Sequence, residues 1–164
     1  MLDGRRARHA EDTRGSIADP LMPTEPAARA AAHAFLARYA APSEDPAYAA
    51  GALYRAYAVV STNLRSAVGD DGTDALLARA MARVDEQHPA ARELRRTTTA
   101  NIDSAQLAAA VMSHGEPAIR AAMEEILGTV IELLTRLVGE SMAMRLIDHD
   151  SGVTSRPLTD ESVS

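Results

Sequence analysis

Apolar residues recur at helical spacing without a gap from Pro117 to about Ile147, and this run constrains the fold more than any other feature of the chain. Ile119, Met123, Ile126, Val130, Leu133, Leu137, Met144 and Ile147 form one stripe; Leu127, Ile131, Leu134 and Val138 form a second beside it. At about 100° per residue the two stripes span an arc of roughly 160°, wider than a two-stranded coiled coil needs. A helix of this kind requires at least two neighbours. Drawn straight it would be about 46 Å long at about 1.5 Å per residue, more than one small bundle covers, so part of it is expected to reach a partner chain.

Composition points the same way. Of 164 residues, 34 are alanine and five are aromatic, which favours helix and leaves few bulky side chains to fill space. The chain has no cysteine, which excludes disulfides, thiolate nucleophiles and cysteine zinc sites. All 17 basic residues are arginine, which excludes lysine Schiff bases and a P-loop lysine. Against 23 acidic residues the net charge is -6, a balance that disfavours nucleic acid and anionic membrane as partners. The most apolar segment, Ile126 to Val138, contains Glu132 and Arg136 and falls well short of the roughly 20 residues that span a bilayer.

Start and stop signals divide the rest. Thr24, Glu25 and Pro26 open a first helix carrying Ala28, Ala32, Phe35 and Tyr39, which ends near Pro42. Asp45 and Pro46 open a second, with Leu53, Tyr57, Val60, Leu64 and Val68 on one face down to Gly69. Asp71 or Thr73 would cap a third, with Leu77, Met81 and Val84, broken at His88-Pro89. After the arginines 92, 95 and 96 and the threonine run 97 to 99, Asp103 with Gln106 reads as a capping box, and Leu107 and Val111 share a face until Gly115. The expected architecture is therefore an all-α, single-domain helical bundle, orthogonal or up-down, of five or six helices with one long C-terminal helix. Its bounds are 24–149. Residues 1–23 and 150–164 lack periodic apolar pattern and are expected to be disordered tails. The basic residues of the first tail are interrupted by acids and accompanied by no apolar h-region, so a cytoplasmic chain is expected.

Few residues point to chemistry. The aromatics Phe35, Tyr39, Tyr48, Tyr54 and Tyr57 fall in the first two helices, and Phe35, Tyr39, Tyr54, Tyr57 and Ser61 are the candidate small-ligand residues. The competing reading is packing, because alanine-rich helices need bulky residues between them. Gly128 and Gly139 each cost about 1 kcal/mol against alanine within a helix, so they mark close approach of another backbone, an oligomer contact or a bend; the alternative is drift on an exposed face. Glu132 precedes Arg136 by four residues, which reads as a surface ion pair of about 0.2–0.5 kcal/mol.

Asp85 with His88 has the spacing of half a bundle di-metal site, but no second copy exists; no metal and no cofactor are expected. His88 and His114 fall at helix ends, where the dipole favours imidazolium. Asp70, Asp71 and Asp74 lack calcium-loop spacing. Glu124 and Glu125 diverge by about 100° on a helix, so they cannot face each other as an acid/base pair. Gly-x-Gly, Gly-x-Ser-x-Gly and His-Glu-x-x-His are absent. No catalytic residue emerges.

The stretch Leu94 to Gly115, with Thr99-Ala100-Asn101-Ile102 running into Leu107 and then His114-Gly115, resembles helical sensory or input domains of bacterial signalling regulators over about a seventh of the chain. The resemblance implies a regulatory helical module and assigns no residue a role. The functional expectation is thus a non-catalytic regulatory or protein-interaction module, with a homodimer or another helical protein as partner. A small-ligand sensor or bundle enzyme built on the aromatic region is the alternative. A DNA-binding regulator using Arg92, Arg95 and Arg96 ranks below both, because Asp85, Glu86 and Glu93 offset those charges.

Overall fold

The computed structural model describes residues 25–94 and 102–149 and, among them, contains six helices and no strand. They are α1 (Pro26–Tyr39), α2 (Pro46–Asp85), α3 (Pro89–Leu94), α4 (Ser104–His114), α5 (Glu116–Val138) and α6 (Glu140–Ile147). The all-α bundle expected from the sequence is what the chain forms. Both expected tails lie outside the described residues.

Local signals set most of the boundaries. Asp45 caps α2 by accepting from the backbone N–H of Ala47 at 3.0 Å and of Tyr48 at 3.5 Å, with Pro46 in the first turn where no N–H is needed. Asp103 and Gln106 form the reciprocal capping box of α4: Gln106 N–H donates to Asp103 Oδ1 at 2.7 Å, and Asp103 N–H donates to Gln106 Oε1 at 3.4 Å.

The single long C-terminal helix is not formed. It divides at Gly139 into α5 and α6, because Gly139 adopts φ +84° and ψ 159°, a region that essentially only glycine occupies. An added Cβ there would meet nothing within 4 Å, so this glycine makes a bend and no close approach. At 23 residues, α5 spans about 35 Å at about 1.5 Å per residue. A matching break at Gly69, φ 80° and ψ 174°, bends α2, whose 40 residues make it the longest helical run. The two helices expected on either side of Gly69 are thus present, joined at the kink; the second starts directly after Gly69, with the Thr73 hydroxyl donating to the Gly69 carbonyl at 2.8 Å, rather than at a cap on Asp71 or Thr73.

Helix α5 is the centre of the molecule and touches every other helix. All eight residues from Glu125 to Glu132 are buried, more than two full turns, so this stretch meets protein on every side rather than along a 160° arc. Its Ile119, Met123 and Ile126 share the core with Leu36, Leu53, Leu64, Leu77 and Leu107 of the helices around it. The stripes read from the sequence are buried up to Leu134 except for the half-buried Leu133, emerge at Leu137 and Val138 beside the bend, and are buried again at Ile147.

Candidate functional site

The five candidate ligand residues separate into two groups. Phe35 is buried and stacks on Tyr39 with ring centroids 4.5 Å apart, while the Arg38 guanidinium lies 5.8 Å and 5.2 Å from the two centroids. Arg38 also pairs with Asp148 just past α6. These two aromatics therefore pack α1 and support its tie to the end of α6. The cleft that holds Tyr54, Tyr57 and Ser61 does not include them.

Tyr54, Tyr57 and Ser61 do meet, on a cleft of about 260 Å³ between α2 and the entry to α4. Helical spacing along α2 aligns them with Ala58, Thr62 and Arg65; Ile102 and Asp103 form the opposite wall. The buried Tyr57 hydroxyl accepts from Ile102 N–H at 3.3 Å and shares a hydrogen bond with Ser61. Arg65 Nε donates to Ser61 Oγ at 3.4 Å, and its Nη1 and Nη2 reach Asp70 at 3.5 Å and Asp74 at 3.3 Å. Burial pushes the Tyr57 phenol above its ordinary value of 10.0; the Ile102 N–H, the Arg65 charge and Ser61 oppose that shift, and Asp74 adds to it. The partners of Ser61 are a phenol and a guanidinium, neither of which is a base that would take its proton. The cleft offers hydrogen-bonding groups for binding and no activated nucleophile.

A second polar group, unsuspected from the sequence, sits at the heart of the bundle. Glu125 and Glu132 lie seven residues apart on α5 and are both buried. Glu125 pairs with Arg29 of α1. Arg83 of α2 donates through Nη1 to both oxygens of Glu132 at 3.3 Å, Arg136 donates to Oε1 at 2.6 Å, and Glu25 N–H at the start of α1 points to Oε2 at 3.4 Å. The pair Glu132–Arg136 is therefore not surface support: the glutamate is 3% exposed and anchors three helices. Glu125, Thr129, Glu132 and Arg136 form a polar stripe in the sequence, but nothing local distinguishes a stripe facing water from one facing arginines supplied by α1 and α2. Gly128 is buried within this central stretch, whereas Gly139 is exposed at the bend.

The remaining candidates disperse. Glu124 pairs with His33 at 3.0 Å, away from Glu125 and its arginine partner. His114, the last residue of α4, pairs with Glu93 of α3 at 3.4 Å. Arg65 links Asp70 and Asp74. Among the described residues no group of three or more His, Asp or Glu side chains is placed to hold a metal ion, and no helix is long and apolar enough to cross a membrane. Arg92 is exposed on α3; Arg95, Arg96, the threonine run and Thr99-Ala100-Asn101 lie outside the described residues. No family model, curated protein or solved structure matches the chain.

Proposed function

We propose that the protein is a non-catalytic regulatory module of the cytoplasm that works by contacting another protein, in the first place a second copy of itself. The observation that carries this reading is the apolar corner at the α5–α6 bend, where Leu137, Val138 and Met142 are 69%, 44% and 46% exposed within six residues of chain. Isolated apolar residues on a surface need no explanation, but three within six residues at a helix corner suit an interaction site. Arg136, Glu140 and Arg145 flank it with charges of both signs, so the surface offers partners for its own copy. Covering the exposed halves of the three side chains on two copies stabilises by about 5–9 kcal/mol, from about 1.5–3 kcal/mol for each full burial. That is the same size as the association cost of about 4–15 kcal/mol, which places the dimer in a reversible range. Light scattering at tens of micromolar tests it: a dimer that dissociates in Leu137→Glu and Met142→Glu variants is expected, and a strict monomer overturns it.

A second reading, a small-ligand sensor, is favoured by one observation: the Tyr57 hydroxyl bridges the cleft from α2 to Ile102, so an occupant that competes for this bond would act on the entry to α4. A ligand at about 100 times its Kd adds roughly 2.7 kcal/mol of stability. A thermal-shift screen in which hits vanish in Ser61→Ala supports it; hits indifferent to both Ser61→Ala and Tyr57→Phe remove it.

A further inference from the structure

Going beyond either reading, we infer that the face of α5 and α6 beneath α1 is a docking groove for a basic amphipathic helix, filled in one molecule by its own α1 and, in a swapped dimer, by α1 of a second copy. The two surfaces are complementary in charge. Helix α1 holds three basic residues, Arg29, His33 and Arg38, and no acid. Each meets an acid of the groove: Arg29 pairs with Glu125, His33 with Glu124 at 3.0 Å and Arg38 with Asp148. The Glu25 N–H, just ahead of the helix, adds a bond to Glu132 at 3.4 Å.

Apolar burial adds little beyond those pairs. Of the buried residues of α1 only Phe35 and Leu36 are large; Ala28 and Ala32 offer one methyl each. The side chains of Arg29, His33 and Arg38 are 47%, 69% and 54% exposed, so water and salt reach the pairs, and α1 lifts as a unit before the core opens. Among the described residues α1 is joined to the bundle only through 40–45. Pro42 and Pro46 each push the residue before them toward extended backbone, and Asp45 sits at φ -80° and ψ 111°. An extended link is what exchange of an element between two copies needs. Exchange remakes every bond named above and also that of Arg120 Nη2 to the Ala40 carbonyl at 2.5 Å, so the swapped form keeps the polar contacts of the closed one.

The chain has no cysteine, so single cysteines report on chosen sites. The test mixes the full chain carrying His33→Cys with the full chain carrying Glu124→Cys at hundreds of micromolar, adds a short bismaleimide and reads the linked peptides by mass spectrometry. A covalent dimer linked from position 33 to position 124 is expected. Glu124 lies about 20 Å along α5 from Leu137, at about 1.5 Å per residue, so a dimer held by the α5–α6 corner does not form this link and the two proposals fail separately. The link should form at least about threefold faster in about 0.5 M than in about 0.05 M salt, because screening loosens the pairs. Both substitutions in one chain should give an internal link in dilute solution. Mixing Arg38→Glu with Asp148→Arg, mismatched alone and matched after exchange, should give a heterodimer more than about fivefold above either homodimer by native mass spectrometry, against about twofold for random pairing. If the cysteine variants misfold, this heterodimer ratio decides alone. An internal link without any 33–124 link between chains, a rate indifferent to salt, or a heterodimer at random pairing overturns the inference.

Discussion

Replacing Glu132 by glutamine separates the two accounts of this residue by an order of magnitude. As an exposed i, i+4 partner of Arg136 it would contribute about 0.2–0.5 kcal/mol. In the structure it is 3% exposed and receives Arg83, itself only 19% exposed, together with Arg136 and the Glu25 N–H. Glutamine keeps the shape but removes the counter-charge and turns an NH2 group toward two guanidinium donors. Arg83, 19% exposed, then loses the charge of this carboxylate. Breaking a buried pair on one side costs about 3–5 kcal/mol; the half-exposed Arg136 puts this case near the lower end, at about 3 kcal/mol. With a urea slope of about 2 kcal/mol per M, the midpoint should fall by about 1.5 M. The double variant Arg83→Met with Glu132→Leu removes both charges together and should recover part of that loss, because hydrophobic replacement of a whole buried pair is often neutral or stabilising. A midpoint shift below about 0.3 M for Glu132→Gln, or a double variant whose loss equals the sum of its singles, would refute the assignment of Glu132 as a buried anchor.

Two further outcomes are expected. Gly139→Ala forces a non-glycine residue to φ +84°, and with open space around the new methyl the penalty is backbone strain alone, about 1–3 kcal/mol; a loss below about 0.5 kcal/mol in chemical denaturation means that α5 and α6 join instead. Tyr57, raised above 10.0 by burial, holds its proton longer when folded than unfolded, so its contribution is complete below pH 10.0 and is lost as pH rises through the folded value. Wild type should therefore lose more stability than Tyr57→Phe on going from pH 9 to about pH 11, and the phenolate absorbance difference between the two should contain a component titrating above 10.0; parallel pH profiles would contradict this.

Chain chemistry alone determined where α2, α4 and α5 start and that the apolar face of α5 lies inward. Asp45-Pro46, Asp103 with Gln106 and Gly115 act within one turn of themselves, through backbone groups that must be satisfied whatever the rest of the molecule does, and the Ile119–Leu134 spacing reports a buried face for the same local reason. Gly139 was visible as a bend or a contact, but whether the helix continues through it depends on whether α6 has somewhere to pack. It does: Ala143 and Ile147 are buried, and Asn63 of α2 donates to the Ile147 carbonyl at 3.4 Å and to that of His149 at 2.9 Å. The candidate site divided likewise. Tyr54, Tyr57 and Ser61 share a face of one helix and so met as read, while Phe35 and Tyr39 lie on another helix whose placement no spacing rule supplies. Only tertiary structure decided that the acidic stripe of α5 faces inward, because burying Glu125 and Glu132 is tolerable solely where Arg29 and Arg83, 96 and 49 residues away in the chain, arrive to meet them.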